Sequence, residues 1–141
     1  MPAQENCHIW DRAKGGPDVF GNLLRACAAH HHEHTAGRIQ DHDLRVIKAR
    51  LAWANDRYTG SEYMWLQIFA QRGGVRFQHP LSKRSCLRFL ESDGYVQITG
   101  ASQAVGNGRS LDDWHLTEIG QWFAKAWAES GAFPVTLRFA R

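Results

Sequence analysis

Two arginines and a serine in the middle of the chain have the types and the spacing needed to contact DNA. If residues 81–92 form an α-helix, each residue advances by about 100°, and Arg84, Ser85 and Arg88 fall on one side. Guanidinium groups bind guanine edges and phosphates, and a small hydroxyl suits either partner. The opposite side is apolar, with Cys86, Leu87 and Leu90. We therefore predict that the apolar side packs on a neighbouring helix and the polar side faces a DNA groove.

Positive charge is concentrated on the same part of the chain. The whole protein carries a formal net charge of +3. Residues 72–105 contain these charged side chains: Arg72, Arg76, Lys83, Arg84, Arg88, Glu91 and Asp93. Within this segment the basic residues exceed the acidic ones by as many charges as in the whole chain. Such clustering predicts a phosphate-binding face, and the alternative interpretation is a solvated helix face.

A run of histidines at residues 30–34 suggests a second kind of chemistry. Imidazoles and thiolates bind zinc, copper or nickel, and His30 and His34 would lie one helical turn apart. Further candidate ligands are Cys7, His8 and His42. The competing interpretation is a polar helix end, where histidines favour the C-terminal dipole. We favour the helix-end interpretation because the sequence has no second well-spaced pair of ligands. We therefore predict no cofactor, and the alternative is a divalent metal at His30 and His34.

The histidine run also matches the inverted zinc-protease signature His-x-x-Glu-His. A run of histidines produces such a match easily by chance, and no distal ligand is placed by a recognisable active-site helix. The chain has no glycine-rich phosphate loop and no Ser/His/Asp arrangement supported by position. We therefore predict that the protein is not an enzyme. Cys86 is expected in the core, and Cys27 is a candidate redox sensor.

Length and composition indicate one domain, or one domain with extensions. The chain has 141 residues, of which 43% are apolar, enough for a packed core. No apolar run approaches the roughly 20 residues of a membrane helix, and the first residues do not resemble a signal peptide. Three cysteines without close pairing suit a reducing compartment. We expect a cytoplasmic protein that does not contact membranes.

Apolar periodicity and capping signals predict the elements that must position these residues. Helices are predicted over residues 18–31, from Asp41 or Asp43 to residue 54, and over 61–72, 81–92 and 117–130. Strands are predicted over 95–99 and 110–116, with a short strand or extended connector at 75–79. Ser61 and Thr117 are predicted N-caps, and Gly73 is predicted to end the third helix.

The order of the central elements is that of a winged helix-turn-helix. Two helices (61–72 and 81–92) precede two strands, and a glycine-rich loop at 100–108 with Arg109 at its end joins the strands. In this arrangement the second helix enters a major groove and the loop, or wing, reaches a flanking groove.

Three motifs in this order resemble the MarR-like winged-helix regulators. They are Leu90-Glu-Ser-Asp-Gly-Tyr-Val96, then Arg109-Ser110 at the wing, then Leu116-Thr-Glu-Ile-Gly120. The resemblance covers residues 41–130. It implies that Arg84, Ser85 and Arg88 read the groove, each guanidinium–base pair contributing about 1–3 kcal/mol of discrimination. The other residues implied to contact DNA are Arg76 and Lys83 on phosphates, Arg109 on the wing, and Ser82.

Several features depart from that family's pattern: the wing loop has Asn-Gly rather than an acidic residue before its arginine, the long flanking helices are only partly present, and two further features bear on the DNA contacts. The connector between the two helices, residues 73–80, is longer than a compact helix-turn-helix turn. Asp112 and Asp113 add negative charge to the second hairpin strand and would repel phosphates. We therefore expect these carboxylates to point away from DNA or to pair with Arg109.

Together, these observations predict an α+β, mostly helical protein. It would comprise an N-terminal helical extension (1–37), a winged helix-turn-helix domain (38–130) and a short extended C-terminal tail (131–141). The predicted function is sequence-specific binding of double-stranded DNA by a homodimeric transcriptional regulator, such as a repressor, with helices 18–31 and 117–130 and the tail at the subunit interface. Two alternatives stay open: a winged-helix protein–protein interaction module, including one from a phage or other mobile element, and a metal-responsive regulator using the histidine run.

Overall fold

The computed structural model describes residues 3–100, 103–105 and 109–131, and for residues 103–105 and 109 it describes the backbone alone. The predicted loop tip at 106–108 and the predicted tail from residue 132 onward lie outside the described residues. The described chain is an α+β structure of helices with two small sheets, as predicted at the level of fold class. Among its described helices, none is long and apolar enough to cross a membrane.

The N-terminal part is a two-stranded ribbon rather than a helical extension. Strand β1 (Gln4–His8) pairs antiparallel with β2 (Leu23–Cys27), and helix α1 (Ala28–Thr35) follows directly. The helix predicted over residues 18–31 is therefore wrong for its first ten residues. A buried Asn22 explains this, because its side chain bonds to the backbone of Trp10 and Pro17 at 2.8–3.0 Å. These bonds hold the chain in a turn and align residues 23–27 with β1.

Helices α2 (Asp41–Ala54) and α3 (Gly60–Arg72) form where they were predicted. The N-cap of α3 is Thr59 rather than Ser61: the Thr59 hydroxyl accepts from the Glu62 N–H, and the Glu62 carboxylate accepts from the Thr59 N–H. This is a reciprocal capping box. Gly73 ends α3 with φ +63°, a left-handed conformation that glycine adopts at little cost.

The segment 81–92 is not a single α-helix. After strand β3 (Arg76–Pro80), residues Leu81–Leu87 form a 3-10 helix, and one turn of α-helix, α4 (Arg88–Ser92), follows. The backbone leaves helical geometry at Lys83, with φ −114° and ψ 19°. His79 Nε2 lies 2.9 Å from the Lys83 carbonyl oxygen, which in an α-helix would accept from the N–H four residues later. The side chain of His79 thus contacts the backbone at the residue where the helix is kinked.

The second sheet contains the predicted hairpin. Strands β4 (Val96–Ile98), β5 (Gln103–Val105) and β6 (Arg109–Leu116) join β3 in an antiparallel sheet of order β3–β6–β4, with β5 also paired to β6. Trp114 of β6 lies opposite Phe77 and Ile98 and has no exposed surface. The predicted connector at 75–79 therefore belongs to the sheet.

Helix α5 (Glu118–Glu129) begins at the predicted N-cap Thr117, whose hydroxyl accepts from the Gly120 N–H at 3.2 Å. Its apolar stripe is buried in the main core against α2 and α3. Phe123 stacks on Tyr95 with ring centroids 4.2 Å apart, and Trp127 stacks on Tyr63 at 5.3 Å. The helix predicted for a subunit interface therefore directs this stripe into its own chain.

Candidate nucleic-acid interface

Arg84, predicted to read DNA bases, is bonded to the hairpin. Its Nε and Nη2 atoms donate to the two carboxylate oxygens of Asp112 on β6, at 3.1 and 3.2 Å. Asp112 has no exposed surface, whereas the Arg84 side chain is 46% exposed. The hydrogen bonds to this carboxylate raise the pKa of Arg84 above its usual value. Asp112 is thus paired with Arg84, a partner that the sequence did not predict.

The 3-10 geometry explains this orientation. In a 3-10 helix, residues three apart lie directly above one another, so Arg84 stands over the buried Leu87. The guanidinium therefore turns towards the sheet. An α-helix would instead have placed it beside Arg88. The side chain of Arg109, the predicted alternative partner of Asp112, lies outside the described residues.

The remaining predicted contacts in the 81–92 segment are solvent-exposed. Ser82, Lys83, Ser85 and Arg88 are all exposed, and the Arg88 guanidinium lies 4.6 Å from the centroid of the Phe89 ring. Lys83 contributes its carbonyl to the contact with His79 and keeps its ammonium in solvent. We call Lys83 and Arg88 the exposed cations of the segment.

Arg76 occupies the outer face of the second sheet. It is exposed and lies opposite His115, while its neighbours Phe77 and His79 point towards the core in the usual alternation. Gln78, on the same outer face, donates to the Asp113 carboxylate at 3.1 Å. Asp113 is therefore part of this polar sheet face rather than of the 81–92 segment.

The acidic residues near the exposed cations are partly neutralised. Asp93 has no exposed surface and accepts hydrogen bonds from the Arg57 guanidinium at 2.5 and 3.2 Å and from the Tyr58 hydroxyl at 2.7 Å. Of the two acidic residues in the basic stretch 72–105, Glu91 is the one on the surface. Because Arg84 of the same stretch is likewise paired with Asp112, the exposed part of the stretch keeps the positive excess that its sequence indicates.

A buried glutamate anchors the 81–92 segment to α3. Glu62 has no exposed surface, and its carboxylate accepts from the Leu90 N–H at 2.6 Å besides capping α3. Burial raises the pKa of Glu62, and the hydrogen bonds from Leu90 and Thr59 oppose that shift. This anchoring role of Glu62 was not predicted, although the Thr59-x-x-Glu62 pattern of a capping box is a signal for part of it.

The histidine run does not assemble a metal centre among the described residues, which contain no group of three or more histidine, cysteine or acidic side chains able to hold a metal ion. His30 Nδ1 lies 2.9 Å from Cys27 Sγ, and His31 Nδ1 lies 2.7 Å from Glu5. His34 instead bridges Cys7 and Asp41. The two candidate ligands, His30 and His34, thus have different partners.

Cys7, His34 and Asp41 stand in the order of a thiol nucleophile, a base and an orienting acid. The distances are 3.4 Å from Cys7 Sγ to His34 Nδ1 and 2.8 Å from His34 Nε2 to the Asp41 carboxylate. Cys7, however, is 1% exposed, and burial, followed by the charges of Asp41 and Asp11, raises the pKa of its thiol. Burial of Cys7 thus opposes formation of the thiolate, which is the nucleophilic form.

The candidate interface consists of the exposed cations of the 81–92 segment, held between α3, β3 and the hairpin. The three cysteines of the chain are free thiols. Comparison of the chain with protein-family models, curated proteins and solved structures finds no significant match.

Proposed function

We propose that the protein binds double-stranded DNA as a transcriptional regulator, through the 81–92 segment in the major groove and the β4–β6 hairpin on the flanking groove or backbone. The observation that carries the proposal is the exposure of Lys83 and Arg88 on a segment braced to the hairpin by the Arg84–Asp112 pair. Exposed cations on an element that is bonded to its neighbours suit a polyanion.

Preorganisation of the segment supports this proposal. Its backbone is bonded to α3 through Glu62 and to β3 through His79, and its side chain Arg84 is bonded to β6. A segment that is ordered before binding loses less conformational entropy when it docks. Contacts from Lys83 and Arg88 would therefore contribute more fully to affinity.

The proposal assigns roles that differ from the sequence-based ones at one position. Lys83 and Arg88, with the hydroxyls of Ser82 and Ser85, contact phosphates and base edges, while Arg84 braces the segment. Arg76 contacts a phosphate from the outer sheet face, and Arg109 serves the wing. The MarR-like resemblance supports a homodimer that acts in the cytoplasm on a roughly palindromic site.

The decisive test is selection of bound fragments from a random DNA pool at near-physiological salt. We expect an enriched inverted repeat with the unmodified protein and loss of enrichment with the double variant Lys83→Ala, Arg88→Ala. The matched control is Arg38→Ala, Lys125→Ala, which removes the same charge from exposed sites outside the interface. The control breaks a surface pair of Arg38 with Glu33, which contributes little to stability.

Salt dependence of the enriched complex provides a second readout. Each phosphate contact removed should reduce the slope of log affinity against log salt by about 1. An unmodified protein that is folded and enriches no sequence would contradict the proposal. Equal losses of DNA affinity in the double variant and in its control would also contradict the proposal, because the loss would then come from the change in net charge rather than from the 81–92 segment.

A further inference from the structure

A cavity of about 500 Å³ lies between the N-terminal ribbon and α2, away from the exposed cations. Its walls are mostly apolar: Phe20, Leu23, Leu24, Leu51, Ala52 and Tyr58. Its volume and its apolar lining with a few polar groups are typical of small-molecule sites. Three of these apolar residues, Phe20, Leu23 and Leu24, belong to the part of the chain before residue 41, which the regulator resemblance does not cover.

Lys48 of α2 brings a positive charge into this cavity. The residue is 7% exposed, and its ammonium donates to the Leu23 carbonyl at 2.7 Å and faces the Phe20 ring at 4.0 Å from the centroid. An ammonium has three N–H donors. Among the described residues no carboxylate lies within ion-pair distance of Lys48. Asp93, whose charge acts on Lys48, is already paired with Arg57. Among the described residues the cavity thus contains a buried cation without a contacting carboxylate, an arrangement that is costly unless a ligand supplies an anion.

Phe20 marks the opening of the same cavity. Its ring is 51% exposed and lies between two cations, Lys48 at 4.0 Å and the Arg57 guanidinium at 4.5 Å. Arg57 is already paired with Asp93, so its charge is compensated. Leu51, 47% exposed, adds a second apolar side chain at the opening. A ligand can therefore place an apolar body against these two side chains while its anionic end reaches Lys48.

We propose that this cavity binds a small carboxylate with an apolar body, with the carboxylate on the Lys48 ammonium and the body against Phe20, Leu24 and Leu51. The charge selects a carboxylate over a neutral amphiphile, and the apolar walls select it over a small inorganic anion. This site is separate from the proposed DNA interface, and it is tested without DNA.

The test is calorimetric titration of the full chain with octanoate, octan-1-ol and acetate. We expect octanoate to bind about tenfold or more tightly than octan-1-ol, because a hydrogen bond to a charged group is stronger than a neutral one. Acetate should bind more weakly than octanoate, since it lacks the apolar body. Absence of octanoate binding, or equal affinities for octanoate and octan-1-ol, would overturn the proposal.

Two variants locate the site. Lys48→Met keeps a long side chain without the charge and should abolish the preference for octanoate while octan-1-ol still binds. Leu51→Glu places a carboxylate at the exposed opening and should abolish octanoate binding. This variant keeps the proposal testable if Lys48→Met does not fold. The matched control is Leu81→Glu at another exposed apolar residue, 40% exposed and outside the cavity, which should bind octanoate normally. Normal octanoate binding by Leu51→Glu would place the ligand elsewhere and contradict the proposal.

Discussion

Arg84 forms a two-point ion pair with Asp112, a carboxylate with no exposed surface that lies 28 positions further along the chain. The bond joins the 3-10 part of the 81–92 segment to the central strand of the second sheet. Loss of Arg84 would leave the buried Asp112 carboxylate without this guanidinium. The pair therefore makes the orientation of the segment depend on the hairpin.

We expect Arg84→Ala to destabilise the fold more than Lys83→Ala, because the first change removes a guanidinium from a buried carboxylate and the second removes a charge in solvent. Asp112→Asn in the Arg84→Ala background should recover part of the loss, since the buried charge is then removed. Urea denaturation of the four proteins measures these differences. Equal midpoints for Arg84→Ala and Lys83→Ala would show that the pair does not stabilise the fold.

The capping box of α3 predicts different effects at two neighbouring positions. Thr59→Ala should lower the free energy of unfolding by about 1 kcal/mol, the usual cost of losing an N-cap side chain. Ser61→Ala lies inside the first turn and should change it by less than about 0.5 kcal/mol. Thermal and urea unfolding of both variants test this, and a larger effect at Ser61 would assign the cap to that residue.

Lys48 should make stability depend on pH in the alkaline range. Burial lowers the pKa of Lys48 from 10.5 to about 8, with the charge of Asp93 opposing this and that of Arg57 adding to it. Arg25 and Tyr58 also line the cavity around it. Because the pKa of Lys48 is lower in the folded protein than in the unfolded chain, the fold gains stability when Lys48 is neutral. This gain is complete above the unfolded pKa and is lost as the pH falls through about 8.

The matched comparison is with Lys48→Met. We expect the stability of this variant relative to the unmodified protein to be greatest near pH 7 and to decrease towards pH 10, by at most about 3 kcal/mol. Urea unfolding at several pH values measures the difference. The comparison removes the effects of other groups, including Tyr58, whose pKa is raised by burial. A difference that is independent of pH would contradict the assigned environment of Lys48.

Cys7 should be the least reactive of the three thiols. It is buried and its pKa is raised, whereas Cys27 and Cys86 are partly exposed. We expect iodoacetamide to modify Cys27 and Cys86 in the native protein and Cys7 after unfolding, as resolved by peptide mass spectrometry. If Cys7 reacts in the native state as fast as Cys27, the Cys7–His34–Asp41 arrangement would instead be an activated nucleophile.

The sequence by itself determined the elements whose signals are local. Helices α2 and α3, the hairpin strands and α5 lie close to their predicted positions, because apolar periodicity and terminating residues act within a few positions. Thr117 caps α5 through a bond three residues away, and Gly73 ends α3 by its own backbone conformation. The cationic excess of the 72–105 stretch was likewise visible from composition alone.

Only the tertiary structure decided the elements and contacts that depend on distant partners. Residues 23–27 have a helical apolar stripe, yet they form a strand because Gln4–His8 pairs with them and Asn22 bonds to Trp10. Asp112 bonds to Arg84 across 28 positions and so changes the role predicted for that arginine. The Lys48 cavity requires the ribbon to lie on α2. Pairings over such separations depend on the packed chain, and local periodicity carries no information about them.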